Sequence, residues 1–174
     1  QAPLDWSRVY ITLVDERWVE PGHQDSNERL LRENLLRERA STANFIALKN
    51  REDNANDAVS DIAGSLSELP SPLTLVVLGM GGDGHTASWF PRAANLAELL
   101  DRQGEDRVAA TEPVTAAHQR MTLTLPAVLD SGEIIIHITG DEKREIIAGA
   151  AEHRLPIAAV TEQTATPATI WWAP

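Results

Sequence analysis

Apolar residues recur along this chain in two rhythms. Short continuous runs at Val9 to Val14, Leu73 to Leu78 and Glu133 to Thr139 have the length and branching of strands buried in an α/β sheet. Between the first two runs the spacing lengthens to three and four. Leu30, Leu31, Leu35 and Leu36 give one helical stripe, opened by Asp25 three residues ahead of Glu28 and carried to about Arg39. Ala55, Ala58, Val59, Ile62, Leu66 and Leu69 give a second, which Pro70 stops. Farther on, the pattern predicts strands at Val108 to Thr111 and Met121 to Thr124, a helix from Asp141 to about Ala151, and a last strand near Ile157 to Val160. Alternating strands and helices predict a Rossmann-like, doubly wound α/β fold, a mostly parallel sheet with helices on both faces, in a single domain over 1–174.

Composition narrows the chemistry. The chain has 174 residues, 43% hydrophobic and 24% charged, which is ordinary for a globular protein. Its apolar runs fall far short of the roughly 20 residues of a membrane span, so no membrane partner is expected. Twenty-six acids against fifteen bases leave a net charge of -11 with no basic stripe to offset it, which argues against a nucleic-acid partner. Without cysteine there are no disulfides, no thiolate catalysis and no cysteine-ligated zinc, in keeping with a reducing cytoplasm. The histidines other than His85 show no metal-ligand spacing, and His137, inside an apolar run, reads as a hydrogen-bonded core residue. No charged and apolar leader follows Gln1, and the early strand suggests a chain that begins inside a larger fold.

The strand ending at Leu78 runs into Gly79, Met80, Gly81, Gly82, Asp83, Gly84 and His85, with a short helix expected next. Gly79, Gly81 and Gly84 satisfy the dinucleotide spacing G-x-G-x-x-G, but Pro91 cuts that helix short and no strand ending in an acid lies about 20 residues on. The other reading is a catalytic turn, with glycine amides aimed inward as anion or oxyanion donors and His85 as a base. A histidine that merely braces the turn is the structural alternative.

The segment GMGGDGHTASWFP, Gly79 to Pro91, resembles the G-x-G-x-D-G-H-x-A-S-L-F-P signature of the 6-phosphogluconolactonases, relatives of glucosamine-6-phosphate deaminase. Further segments match in the family's order: VDERWV at Val14 to Val19, SNERLL at Ser26 to Leu31, QRMTLTLPAVL at Gln119 to Leu129 and TGDEKREII at Thr139 to Ile147. The deaminase branch carries G-H-x-A-F-N-E-P, whereas here Ala87 is followed by Ser88, Trp89, Phe90 and Pro91, so the lactonase branch fits better. The resemblance implies hydrolysis of 6-phospho-D-glucono-1,5-lactone to 6-phosphogluconate, in the oxidative pentose phosphate pathway of the cytoplasm, with no cofactor and no metal. A δ-lactone is an activated ester, for which one base, one oxyanion stabiliser and a phosphate anchor suffice. A sugar-phosphate deaminase or isomerase, and a non-catalytic sugar-phosphate or nucleotide-binding module, are the alternatives.

The same resemblance assigns residues. His85 is the expected general base, and Asp83 orients its ring or holds the turn. Arg17, beyond the first strand where open α/β sheets bind ligands, suits a phosphate, a sugar hydroxyl or the developing oxyanion. Asp15 shares that strand end as a partner for Arg17 or for substrate hydroxyls, Asn27 belongs to the family's S-N pair, and Gly81 and Gly82 line the loop. Arg120 and Lys143 resemble the basic residues that hold the substrate phosphate; a lysine in the first turn of a helix opposes its dipole, which hints at function. Trp171 and Trp172 read as C-terminal packing. The family fold also begins with a further strand and an S-G-G-S/T-T-P-like phosphate loop. Here the nearest candidates, Ser131 with Gly132 and Ser67 with Pro70, lack the glycine pair. The expectation is therefore an N-terminally incomplete fold, the C-terminal three quarters of the family's, with another chain as a candidate source of the missing segment.

Overall fold

The structure, a computed structural model, describes residues 4–114 and 116–174. In chain order its elements are β1 (Tyr10–Thr12), β2 (Asp15–Arg17), α1 (Asn27–Asn34), β3 (Asn44–Ile46), α2 (Ala55–Leu66), β4 (Val76–Leu78), α3 (Leu96–Leu99), β5 (Val108–Thr111), β6 (Arg120–Leu123), α4 (Leu125–Leu129), β7 (Ile134–Thr139), α5 (Asp141–Ala148), α6 (Ala158–Thr161) and β8 (Ala168–Ala173). β1 pairs with β3 in parallel, and β4, β7 and β8 form a parallel sheet with β7 central. β2, β6 and β5 form an antiparallel sheet with β6 central.

The strongest sequence signals fold as their periods require. α2 buries Ala55, Ala58, Ile62 and Leu66, its N-terminus capped by Asn54, whose side chain accepts from the Asn56 amide. That stripe shares one core with Leu78 of β4, Ile134, Ile136 and Ile138 of β7, and Met121 and Leu123 of β6. Each fully buried leucine or isoleucine contributes roughly 1.5–3 kcal/mol, so this core holds the α/β fold together. Among the described residues no helix is long and apolar enough to cross a membrane.

Elsewhere the structure departs from the pattern. The Val9 to Val14 run divides: β1 ends at Thr12, and Asp15 to Arg17 are not a polar tail but a strand of the other sheet, anchored where the Leu123 amide donates to Val14 O at 2.8 Å. α1 is capped by Ser26 rather than Asp25 and stops at Asn34, leaving Leu30 61% exposed and Leu35 43% exposed. No helix follows the glycine loop; turns fill the chain as far as Leu96, with Ala87 and Arg92 at positive φ. Ile157 to Val160 is not a strand: Ile157 and Val160 are both buried at the three-residue spacing of a helix, and α6 forms there. The last strand is instead β8, an edge strand exposed at every position, so Trp171 and Trp172 do not pack into the core. His137 faces Trp171 in register on an exposed position of β7 and is not a core residue either.

Candidate functional site

The glycine loop closes on itself. The Gly84 amide donates to Gly81 O at 3.0 Å and the Gly81 amide to His85 O at 2.9 Å, while Thr86 Oγ1 donates to Gly79 O at 2.8 Å. Gly84 has φ +78°, and a Cβ there would stand 2.7 Å from Leu155, so this position excludes other residues twice over. At Gly81 a Cβ would overlap the His85 ring itself. Gly81 is thus required by the imidazole's seat. Because the Gly81 amide is engaged by His85 O, it does not point outward as an oxyanion donor, contrary to the expectation for inward-aimed amides. Gly82 lies toward the start of α5, where Glu142 Oε1 comes within 3.9 Å of its Cβ position.

His85 Nδ1 lies 2.5 Å from Asp83 Oδ1, which also accepts the His85 main-chain amide at 3.2 Å. With a carboxylate facing Nδ1, that nitrogen carries the proton and Nε2 the free lone pair. Partial burial raises the Asp83 carboxyl, but hydrogen bonds from the His85 ring and main chain outweigh it and hold its pKa below the usual 3.8. A carboxyl depressed by folding contributes stability above its unfolded pKa and loses it as pH falls through the folded one, so the pair persists across the neutral range. The imidazole rests on Phe90, with ring centroids 4.3 Å apart.

A second cluster lies on the antiparallel sheet. In its register Arg17 of β2 stands directly opposite Arg120 of β6. Like charges at opposed positions destabilise a ladder, so the pair calls for an anion. Arg120 is only 6% exposed; its Nη1 donates to the carbonyls of Ala117 and His118, and its buried Nε has no hydrogen-bond partner among the described residues. Burial, and then the charge of Arg17, lowers its pKa from the ordinary arginine value, against the pull of Asp15, Glu16 and Asp25. Arg120 also lies 5.8 Å from the centroid of Phe90, the ring that supports His85.

Arg17 Nη1 donates to Asp25 O at 2.7 Å and to Asn27 Oδ1 at 3.0 Å, and Asn27 Nδ2 donates to Asp15 O at 2.9 Å. Asp15 Oδ2 accepts from Ser88 Oγ at 2.7 Å, which ties β2 to the chain just after His85. Burial raises the Asp15 carboxyl despite Ser88, Arg17 and Arg120.

The residues singled out from sequence therefore gather into two groups, His85 with Asp83 and Gly81, and Asp15 with Arg17, Asn27 and Arg120. Phe90 and Ser88 join them. Lys143, third residue of α5, makes no side-chain hydrogen bond or ion pair among the described residues; its helix meets the loop through Glu142, near Gly82, and through Glu145 and Ile146, which line a cavity with Gly82 and Asp83. Sequence reasoning missed Ser88, Phe90 and Glu16 as parts of the site. The alternation along β2, which sends Glu16 to the opposite face from Asp15 and Arg17, was the one signal available for the last.

Known proteins resemble this chain in both sequence and fold. A family model described as glucosamine-6-phosphate isomerases/6-phosphogluconolactonase matches residues 1–171. The 6-phosphogluconolactonase of Rhizobium meliloti (strain 1021) is 42% identical over 175 residues, which cover 98% of this chain and 75% of that protein. That of Pseudomonas aeruginosa is 40% identical, covering 100% of this chain and 74% of its own. A crystal structure of a 6-phosphogluconolactonase from Shewanella baltica OS155 matches with a TM-score of 0.94 and 46% identity over 98% of this chain and 74% of that one. A monomeric glucosamine-6-phosphate deaminase, 13% identical with a TM-score of 0.75, shares the fold alone. In these lactonases the matched part is about three quarters of one chain and the rest belongs to that same chain, which lends no support to a segment supplied by another. With a family match across nearly its whole length and relatives above 40% identity, the chain belongs to the glucosamine-6-phosphate isomerase/6-phosphogluconolactonase family.

Proposed function

We propose that this chain hydrolyses 6-phospho-D-glucono-1,5-lactone to 6-phosphogluconate. The observation that carries the reading is the opposed pair Arg17 and Arg120, with its buried unpartnered Nε, joined through Phe90 to an imidazole held by a carboxylate. A phosphorylated ester supplies a phosphate for Arg120, a developing oxyanion for Arg17 and the carbonyl on which the imidazole acts.

His85 Nε2 takes a proton from water as its oxygen bonds to the lactone carbonyl carbon. The tetrahedral oxyanion then collapses, the bond from that carbon to the ring oxygen breaks, and the ring oxygen receives the proton back from the imidazolium. The carboxylic acid so formed loses its proton to solvent. Asp83 fixes the tautomer and offsets the imidazolium charge. Arg17 stabilises the oxyanion, Arg120 and Lys143 hold the phosphate, and Asp15, Asn27 and the Gly82 side of the loop meet the sugar. The reading implies a cytoplasmic enzyme, consistent with a chain free of cysteine.

A coupled assay for lactone hydrolysis, run beside an ammonia-release assay with glucosamine 6-phosphate, tests it. The expected result is hydrolysis above the spontaneous rate with no ammonia; ammonia release without hydrolysis would overturn it. Nucleotide titration is expected to show no binding. Within this reading Gly81→Ala displaces the His85 ring, because the clash is with a side chain that can swing away and leave the loop folded. Turnover is expected to fall about tenfold with the melting temperature nearly retained, as misplacing a reacting group does; unchanged turnover would show that the ring's seat does not matter.

A further inference from the structure

Glu16, 1% exposed, is a buried carboxylate that the reaction just described does not use. It projects from β2 on the face away from Asp15 and Arg17. Its Oε1 accepts the main-chain amides of Arg17 at 2.7 Å and Asn27 at 2.8 Å; its Oε2 accepts the Glu28 amide at 2.7 Å and Ser26 Oγ at 3.0 Å. All four donors are neutral, and no arginine or lysine side chain pairs with it among the described residues. Asn27 and Glu28 are the first two residues of α1, whose amides lack partners inside the helix, so the negative charge is met by the helix N-terminus. Ser26, the cap residue, takes the Arg29 amide on its oxygen and gives its own proton to Glu16.

The carboxylate thus fastens the start of one element to the middle of another. Arg17 reaches across to Asp25 O and Asn27 Oδ1, both on the segment that Glu16 holds, and Asn27 in turn reaches Asp15. We propose that Glu16 is a positioning residue: by clamping the N-terminus of α1 to β2 it sets where the Arg17 guanidinium stands. The proposal rests on the reading of Arg17 as an oxyanion stabiliser.

Glu16→Gln tests it, because an amide there must turn an NH₂ toward at least one main-chain amide donor whichever way it is placed. The measurement is a cycle of E16Q, R17A and the double variant, with kcat and KM for lactone hydrolysis taken well below each melting temperature and referred to folded protein. E16Q is expected to lower kcat about three- to tenfold with KM changed less than about twofold, and to cost nothing further in the R17A background. Ser26→Ala removes one of the four donors while keeping the carboxylate; it is expected to lower kcat about twofold, again only where Arg17 is present, and it carries the same cycle should E16Q fail to fold. Unchanged kcat in folded E16Q or S26A, or an equal loss with and without Arg17, would overturn the role of Glu16. Unchanged turnover in R17A alone would instead overturn the reading of Arg17, and the clamp's purpose with it.

Discussion

His85→Ala is expected to lower lactone turnover by about 10²- to 10⁴-fold, the range over which a positioned general base acts, while the melting temperature stays nearly unchanged. The loop around it is held by its own main chain, Gly84 to Gly81 and Gly81 to His85 O, and the Ile157 amide donates to Gly84 O at 3.1 Å; none of these bonds needs the ring. What the ring supplies is Nε2, freed because Asp83 faces the other nitrogen. Steady-state assays of lactone hydrolysis beside thermal melts of the two proteins check this. Turnover within about twofold of the parent would remove His85 from the chemistry, and loss of folding would give it back to the turn as a brace.

Arg120→Ala and Lys143→Ala are each expected to weaken binding of 6-phosphogluconate by roughly 1.5–3 kcal/mol, the range for hydrogen bonds to charged groups, or about 10- to 100-fold. Unphosphorylated gluconate is expected to bind equally well to all three proteins. The two positions differ in what else they do. Arg120 faces Arg17 across the ladder, so its removal also relieves a like-charge contact and frees the carbonyls of Ala117 and His118. Lys143 has no such internal ties among the described residues, and its loss is expected to leave stability untouched. Calorimetric titration with the two ligands decides the matter: equal losses for phosphorylated and unphosphorylated acid would contradict the phosphate assignment.

Local features were legible in the sequence in proportion to how local their causes are. Asp83 and His85 stand two apart in one turn, and their pairing follows from the turn itself. α2 declared itself through a stripe buried at the predicted positions. Ile157 to Val160 misled because four residues rich in apolar side chains fit a strand and a helical turn equally well, and only burial at i and i+3 decides between them. The antiparallel β2 was invisible because its partner lies in β6, far along the chain and beyond the glycine loop. The links from Asp15 to Ser88 and from Glu16 to Glu28 hide for the same reason, since no period relates residues from different elements. Arg120 was found by family resemblance, and nothing in its neighbourhood along the chain announces an unpartnered buried Nε.

The two parts of the site also differ in how much chain must be gathered to make them. The turn carrying His85 is closed within a few residues, whereas Thr122 of β6 reaches the carbonyl of Val14, the residue before β2, across a separation of 108 residues. Contacts at such separation are rewarded only after the entropy of closing a long loop has been met. The imidazole can be in place on a chain that has not finished folding, but the opposed arginines cannot. Affinity for a phosphorylated ligand is therefore expected to report whether β2 is paired with β6.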